Sequence, residues 1–446
     1  MTRVNEHAAL YRGASPSETT RKLRGAFLAP HPDTPGWDYF PDTELSLDAH
    51  GQIVSVTQMS PTSPSGHSQG RVWLPGFVDT HVHFPQHRII GSATGALLEW
   101  LERSVFPEER RFREVDHASK VAAHFTQTLL ARGTTSAAIY SSSDPGATEQ
   151  LFLALADTGL RGEVGLTLMD RGAPDELLLE AGAALEACER LIARWHNTEE
   201  GRLRFCMTPR FALSCSAPLL RGAGLLAERE GLLIQTHISE NATEIEATRE
   251  AFPEAIDYLD VYEGHGLLSD RSLFAHCIWL SEREWDRLAE RGAAVSHCPD
   301  SNFFLGSGVM RIEEAKRRAI RVSLGSDVGA GRSLDMRRAC SAAFDAARIS
   351  GAQEDGASLL WRATRGGALA LGHGDRYGAI EVGLAADLIS VQLPEMQGAL
   401  EVAFASKEPS QIARAICDAV VFRDDPDLIQ EVVIAGRSCW RRRGEE

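Results

Sequence analysis

Two histidines, His81 and His83, end an apolar run that reads Pro75-Gly-Phe-Val-Asp-Thr-His-Val-His-Phe84. On a β-strand the i, i+2 spacing puts both imidazoles on one face, about 6 to 7 Å apart along the backbone. The pair can therefore bind one metal ion. Because the chain contains 15 histidines, such a pair could also occur by chance on an ordinary strand. The surrounding residues have to distinguish a metal-binding pair from a chance one.

Further polar side chains follow later apolar runs in the same way. They are Arg210, His237, His276, His297 and Asp327. Imidazole and carboxylate groups are the ligands that catalytic metal sites use, with one coordination position left open for water. We therefore expect a divalent metal held by three imidazoles and a carboxylate, provided that the fold brings the ends of these runs together.

The pattern from residue 75 onward predicts such a fold. Short apolar strands alternate with amphipathic stretches, among them predicted helices at 175–195 and 282–291. The eight predicted strands are 76–83, 134–141, 164–170, 203–209, 232–238, 272–278, 293–297 and 321–326. This alternation is typical of an α/β protein with a (β/α)₈ TIM-type barrel, whose strand ends share one mouth.

A doubly wound sheet would need a phosphate-binding glycine turn after a strand. The glycine-containing segments 222–224 and 329–331 do not fit this pattern, which argues against dinucleotide binding.

The two ends of the chain have a different character. Short β-type pieces at 22–28, 44–47 and 53–56 precede the barrel, and others at 378–383, 387–392 and 431–434 follow it. We predict one small discontinuous β domain made of residues 1–74 and 378–446, with the catalytic barrel, 75–377, inserted between its halves. The Ala-rich stretch 395–425 is predicted to be partly helical.

Composition limits the partners. The net charge is −16, which disfavours nucleic acid and favours a small neutral or cationic ligand. No apolar run approaches the roughly 18 residues of a membrane span, and the first 13 residues lack a secretory pattern, so we expect a cytoplasmic protein without membrane contact. The eight cysteines are scattered without a Cys-x-x-Cys pair, which argues against a disulfide framework and a cysteine zinc site.

Two carboxylates have settings that suggest chemistry. Asp327 ends an apolar strand between glycines, where a metal would balance its buried charge; a helix cap is the alternative. Glu240 follows His237 by three residues and could exchange protons with a bound water, or it could be a surface residue beside the acidic stretch 244–254. Without further context, Arg210 at the end of a predicted strand could form a salt bridge at the barrel mouth.

These motifs together resemble the amidohydrolase superfamily, which has a metal-bearing (β/α)₈ barrel and a β-sandwich made from both termini. Within it, the sequence is similar to the guanine deaminases over about residues 72–380. The segments that carry this similarity are 83–86, 97–101, 106–108, 209–215, 235–241, 297–302, 306–308 and 325–329.

The resemblance implies a role for each matching residue. His81, His83, His237 and Asp327 would bind one Zn²⁺ per subunit, with Fe²⁺ also suited to these ligands. Glu240, Asp327 and His276 would be catalytic. The guanine would contact Gln86, Arg210, Phe211, His237, Glu240 and Asp327. A homodimer is also implied.

The implied reaction is the hydrolytic deamination of guanine to xanthine and ammonia. Water activated by the metal attacks C2 of the purine, Glu240 protonates N3, and Asp327 protonates the leaving amine. Arg210 would donate to O6, and the amide of Gln86 would both donate and accept at a ring edge. The alternatives are a related hydrolase of another aminated heterocycle, such as 8-oxoguanine, a pterin or a triazine, and a non-catalytic scaffold protein on the same barrel.

Three positions depart from the pattern that the resemblance leads us to expect. Asp300 stands in place of Asn, Ser326 in place of Thr, and Ala330 in place of Gly. All three lie near the predicted mouth, so they bear on substrate preference and leave the metal ligands unchanged.

Overall fold

The computed structural model describes residues 21–59, 70–92, 95–393 and 398–443. Its strands, numbered in chain order, are β1 (Arg21–Pro30), β2 (Trp37–Leu47), β3 (Ile53–Gln58), β4 (Arg71–Pro75), β5 (Phe77–His83), β6 (Thr134–Tyr140), β7 (Arg161–Gly165), β8 (Thr167–Leu168), β9 (Leu203–Phe205), β10 (Thr208–Pro209), β11 (Ile234–Ile238), β12 (Ser272–His276), β13 (Ala294–His297), β14 (Arg321–Leu324), β15 (Leu388–Gln392), β16 (Ile429–Ile434) and β17 (Arg437–Arg441).

The helices lie mostly between the strands from β5 to β15. The α-helices are Leu97–Trp100, Phe106–Glu109, Val115–Ala131, Pro145–Thr158, Ala181–Trp195, Ala217–Glu230, Ala242–Ala251, Tyr258–Gly264, Glu282–Glu290, Pro299–Phe304, Ile312–Arg317, Met336–Ser350, Gly356–Arg362, Arg365–Ala370, Ala399–Ser406 and Pro409–Phe422. Within the described ranges, no helix is both long enough and apolar enough to cross a membrane.

Strands β5 to β14 form a parallel barrel, as predicted. The short strands β8 and β10 pair with each other and continue β7 and β9, so the barrel has eight strand positions. Two four-stranded parallel sheets, β5-β6-β7-β9 and β11-β12-β13-β14, make up most of it. A parallel bridge between Met207 and Ile234 joins the two sheets on one side. On the other side the amide of Asp327 donates to the carbonyl of His81 at 2.8 Å, which links the last strand to the first. The predicted fold class is confirmed.

Two predicted boundaries inside the barrel are wrong for local reasons. The third strand starts at Arg161 instead of 164, because its first residues include a buried arginine and Glu163, which an apolar pattern does not mark. Arg161 is satisfied by Asp387, with Nη2 at 3.2 Å from Oδ1. The helix predicted from 175 begins at Ala181, where the carboxylate of Glu180 accepts from the amides of residues 182 and 183 at 2.9 and 3.2 Å.

Both ends of the chain contribute to one seven-stranded sheet, in the order β17-β16-β15-β4-β1-β2-β3. Strand β4 pairs in parallel with β1 and antiparallel with β15, and it continues directly into β5, so this sheet fixes the start of the first barrel strand. The stretch 378–383, predicted as β-type, forms turns instead, because Gly378 and Gly383 adopt positive φ angles of 92° and 95°. The exact division into domains stays a prediction.

Candidate active site

Four side chains converge at the carboxyl ends of β5, β11 and β14. The Nε2 atom of His83 lies 3.2 Å from Nε2 of His81 and 3.2 Å from Nε2 of His237. The Oδ1 atom of Asp327 lies 3.2 Å from His81 Nε2 and 3.3 Å from His83 Nε2. All four groups offer a ligand atom within 4.8 Å of one another. The structure therefore brings together the four residues that the sequence predicted as metal ligands.

The protonation states of the three imidazoles suit metal binding. The Nδ1–H of His237 donates to the carbonyl of Arg210, so Nε2 of that ring carries a lone pair. Burial lowers the pKa of His81 to about 4, and burial also lowers the pKa values of His83 and His237. Neutral rings at neutral pH are the form that binds a metal.

The geometry of the four groups fits a divalent metal. Bonds of about 2.1 Å in a tetrahedral site put neighbouring ligand atoms about 3.4 Å apart, close to the 3.2–3.3 Å spacings observed. Nitrogen lone pairs this close repel unless a proton or a cation lies between them. Three imidazoles and one carboxylate are also the donor set that zinc and iron accept.

Glu240 and His276 form a second layer beside this cluster. The Oε2 atom of Glu240 lies 3.4 Å from Nε2 of His276, which in turn lies 3.8 Å from Oδ2 of Asp327. Burial raises the pKa of Glu240 to about 7. Burial opposes protonation of His276, but the carboxylates of Glu240 and Asp327 outweigh it and raise the pKa of His276. This pair can hold a proton near neutral pH, which a general acid requires.

Hydrogen bonds hold the two layers in place. Nδ1 of His276 lies 2.9 Å from Oδ1 of Asn302, and the hydroxyl of Ser307 donates to Oε1 of Glu240 at 3.1 Å. Below the cluster, the buried carboxylate of Asp79 accepts from the amide and the hydroxyl of Ser326 at 2.9 and 2.5 Å. Ser326 is one of the three departures from the expected pattern. It has a hydroxyl, as the expected threonine would, and it directly precedes the proposed ligand Asp327.

Backbone strain is concentrated at the same place. His276 and Asp327 have positive φ angles of 70° and 48°, and Ser239 has one of 51°. Non-glycine residues in this region cost of the order of 1–3 kcal/mol each, and such residues cluster at functional sites. The strain is consistent with side chains that are aimed at a common point by the surrounding structure.

A pocket opens directly above the cluster. Its polar lining includes Gln86, Arg210 and Glu240, all buried, as well as His83 and His276. Apolar side chains form its cover, among them Phe211 and Trp100, which belong to one hydrophobic cluster at the barrel mouth. Every residue predicted to contact the purine therefore lines one cavity: Gln86, Arg210, Phe211, His237, Glu240 and Asp327.

One buried group of this region is absent from the sequence-based prediction. Glu109, 4% exposed, accepts from Nη1 of Arg210 at 2.7 Å and from Nε2 of Gln86 at 3.3 Å. The salt bridge considered as the alternative for Arg210 thus exists, behind the pocket. The available signal was the pair of adjacent carboxylates, Glu108 and Glu109, directly after the apolar residues 105–107.

Two other residues lie away from the ligand cluster. His297 is buried, and burial lowers its pKa to about 3, but it is not one of the four clustered groups. Asp300, another of the three departures, is not part of the pocket lining and binds Arg332 and Arg338, with 2.8 Å between its Oδ1 and Nε of Arg338. Its negative charge is therefore compensated outside the pocket lining, whereas Ala330, the third departure, lines the pocket itself.

Comparison with known proteins agrees with this architecture. The model of the amidohydrolase family matches residues 72–439. The chain belongs to this family. The resemblance drawn from the sequence motifs is thereby confirmed, and the metal dependence typical of amidohydrolases agrees with the cluster of His81, His83, His237 and Asp327.

Among its relatives, this amidohydrolase is 37% identical to the guanine deaminase of Escherichia coli strain K12 over 325 residues, which is 73% of this chain and 74% of the relative. A crystal structure of guanine deaminase from Bradyrhizobium japonicum superimposes with a TM-score of 0.88 at 29% identity, covering 95% of this chain and 100% of the other. Guanine deaminase from C. acetobutylicum with bound guanine in the active site gives a TM-score of 0.83 at 26% identity, with coverage of 94% and 99%.

Proposed function

We propose that this amidohydrolase is a guanine deaminase, which hydrolyses guanine to xanthine and ammonia. One observation carries the proposal: Gln86 and Arg210, the donors suited to a purine ring edge, line the same pocket as the candidate metal ligands and Glu240. The similarity to guanine deaminases over most of the chain, including a structure with bound guanine, supports it.

We propose that His81, His83, His237 and Asp327 hold one zinc ion per subunit, with ferrous iron as the other metal suited to these donors. When bound, such a metal supplies the Lewis acidity that makes water a nucleophile at neutral pH. The protein contributes neutral imidazoles and a carboxylate that stays ionised. The carboxylate of Asp327 is buried, and a bound cation would balance its negative charge.

Glu240 acts as the proton donor to the purine. Its carboxyl group has a pKa raised to about 7 by burial, so a large fraction is protonated at neutral pH and can protonate N3, which makes C2 electrophilic. His276, 3.4 Å away, orients the carboxyl group, and Glu240 recovers its proton from the C2 hydroxyl as the carbonyl of xanthine forms. Asp327, 3.8 Å from His276, accepts the proton of the attacking water and gives it to the leaving amine.

Arg210 and Gln86 select the base. A guanidinium donates only, so Arg210 matches the carbonyl O6 of guanine and meets the amine of adenine with no acceptor. A buried donor left without a partner costs about 1–3 kcal/mol, which disfavours adenine by roughly 5- to 150-fold. The ring of Phe211 provides an apolar wall of the same pocket.

Ammonia release from guanine, 8-oxoguanine, adenine, a pterin and a triazine tests the proposal, with the metal content of the same preparation determined by elemental analysis. We expect guanine to be turned over fastest, with close to one zinc or iron per chain. A preference for any of the other heterocycles would assign the site to a different deaminase. A protein that binds metal but releases no ammonia from any of them would be a scaffold.

The homodimer implied by the resemblance stays a prediction, which light scattering coupled to size-exclusion chromatography tests. The division into residues 1–74, 75–377 and 378–446 likewise stays a proposal. Limited proteolysis would test it, since cleavage is expected near these boundaries and outside the barrel.

A further inference from the structure

Glu109 lies behind the pocket and contacts both polar side chains proposed to recognise the purine. Its Oε2 accepts from Nη1 of Arg210 at 2.7 Å, and its Oε1 accepts from Nε2 of Gln86 at 3.3 Å. Both side chains of the ion pair are about 5% exposed. We propose that Glu109 is a positioning residue that fixes the donor pattern and the charge of the recognition edge, and so restricts the enzyme to neutral oxopurines. This inference rests on the proposed function.

The first step of the argument is the orientation of the Gln86 amide. Its Oε1 accepts from the backbone amide of Gly329 at 3.2 Å, while its Nε2 donates to Glu109. A backbone N–H can only donate and a carboxylate can only accept, so a single orientation of the amide satisfies both neighbours. Gln86 then presents one remaining N–H and one remaining lone pair. If the carboxylate of Glu109 were absent, only the contact with the amide of Gly329 would oppose a flipped Gln86 side chain, in which Oε1 and Nε2 exchange places.

The second step concerns Arg210. Its Nη1 is committed to Glu109, and its guanidinium lies over the ring of Phe106, 5.5 Å from the ring centre. These two contacts fix the plane of the group, which leaves its other N–H donors for a ligand carbonyl. Charge-assisted hydrogen bonds between buried partners are about twice as strong as neutral ones, so this contact sets where the donors point.

The third step is charge. Arg210 alone would make this edge of the pocket cationic and attractive to purine anions. With Glu109 beside it, the pair is neutral overall, and a neutral ligand avoids the desolvation that an anion would suffer without a compensating charge. The carboxylate should therefore favour a neutral oxopurine over an anionic one of similar size.

The neighbouring carboxylate provides a matched control. Glu108 is also buried, at 8% exposure, but it accepts from Nη1 of Arg111 at 2.8 Å and lies 3.3 Å from Nε2 of His117. It does not contact Gln86 or Arg210. The helix Phe106–Glu109 thus directs one carboxylate to the recognition residues and the adjacent one away from them, so Glu108→Gln removes the same charge from the same helix without touching the pocket.

The experiment compares the wild-type holoenzyme with Glu109→Gln, Glu109→Asp and Glu108→Gln. In Glu109→Gln we expect KM for guanine to rise about tenfold or more, with a smaller fall in kcat, because a charge-assisted contact is lost from the binding edge alone. We expect Glu108→Gln to match wild type. Glu109→Asp, which keeps the charge, should recover part of the affinity.

Inhibition gives a readout that a general loosening of the pocket would not produce. At about pH 7.5 hypoxanthine is neutral and urate is a monoanion. In Glu109→Gln the inhibition constant of urate, divided by that of hypoxanthine, should fall by about tenfold. In Glu109→Asp this ratio should keep its wild-type value. Equal weakening of both inhibitors in Glu109→Gln, or an identical response in Glu108→Gln, would overturn the inference.

The two proposals fail separately. A wild-type enzyme that releases ammonia from guanine while Glu109→Gln behaves as wild type would retain the proposed function and reject the role of Glu109. A wild-type enzyme without guanine turnover would reject the proposed function, and the selectivity between hypoxanthine and urate, measured then as binding, would still test Glu109. Should Glu109→Gln melt well below wild type, Glu109→Asp decides the outcome. A raised KM for guanine with the wild-type inhibitor ratio supports the role of Glu109, whereas a wild-type KM or a shifted ratio rejects it.

Discussion

The carboxylate oxygen Oδ1 of Asp327 lies 3.2 Å from Nε2 of His81. His81 lies in the first strand of the barrel and Asp327 follows the last, and the amide of Asp327 donates to the carbonyl of His81 at 2.8 Å. The same contact therefore closes the barrel and assembles the candidate metal site. The pairing of the first and last strands therefore explains how ligands so distant in the sequence come together.

Replacing Asp327 by Asn should abolish metal binding and deamination. The substitution keeps the shape of the side chain but removes the negative charge that balances the cation, and even outer hydrogen-bond partners of metal ligands are worth 10- to 100-fold. We expect activity to fall by more than about 100-fold, with metal content well below one ion per chain. Asp270→Asn, at an exposed position, is the control, and full metal occupancy in Asp327→Asn would contradict the assignment.

Replacing Glu240 by Gln should slow the reaction without removing the metal. The amide cannot transfer a proton, and general acid–base groups contribute about 10²- to 10⁴-fold. We therefore expect kcat to fall by this factor, with unchanged metal content. Glu246→Gln, on the helix that follows and exposed to solvent, should retain activity. Wild-type kcat in Glu240→Gln would remove Glu240 from the proposed mechanism.

Replacing Arg210 by Lys should weaken recognition of guanine. An ammonium can occupy the position beside Glu109, but it lacks the planar fork that serves the carboxylate and the ligand carbonyl at once. We expect KM for guanine to rise about 10- to 100-fold, with a smaller change in kcat. Steady-state kinetics with guanine measure this, and Arg190→Lys on an exposed helix face is the control. An unchanged KM would place the guanine carbonyl elsewhere.

Replacing Asp300 by Asn should destabilise the fold in a pH-dependent way. Burial would raise the pKa of Asp300, but its contacts with Arg332 and Arg338 outweigh it and lower the pKa below 3.8. A lowered pKa in the folded state stabilises the protein above the ordinary pKa of the group, and this contribution disappears as pH falls through the folded value. Both arginines are partly exposed, so we expect a loss of about 1–2 kcal/mol in free energy of unfolding at pH 7.

Chemical denaturation of wild type and Asp300→Asn at neutral and acidic pH checks this expectation. The difference between the two proteins should be largest at pH 7 and should shrink once Asp300 is protonated in the wild type. A difference that stays constant with pH would attribute the loss to packing, since an amide and a carboxylate have nearly the same size.

The sequence predicts well wherever the pattern is local and apolar. The eight strands of the barrel stand close to their predicted places, because a buried parallel strand needs a short apolar run. The start of β7 is an exception, because Arg161 and Glu163 do not fit an apolar pattern. Arg161 pairs with Asp387 and Glu163 with His373, both in distant segments of the chain. Both of these contacts join segments that are far apart in the chain, so no local pattern contains them.

The same distinction applies to the site. Residue type and position at strand ends mark His81, His83, His237 and Asp327 as candidate ligands, together with His276 and His297, since a barrel brings its strand ends to one mouth. The resemblance to the amidohydrolases then selects the first four. Glu109 lies on a short helix outside that pattern, and its function depends on which neighbour its carboxylate faces. The sequence alone determines the fold class and the chemistry available at the barrel mouth. The tertiary structure decides that Glu109 contacts Gln86 and Arg210 while Glu108 does not, because the direction of a side chain depends on packing against segments that are remote in the chain.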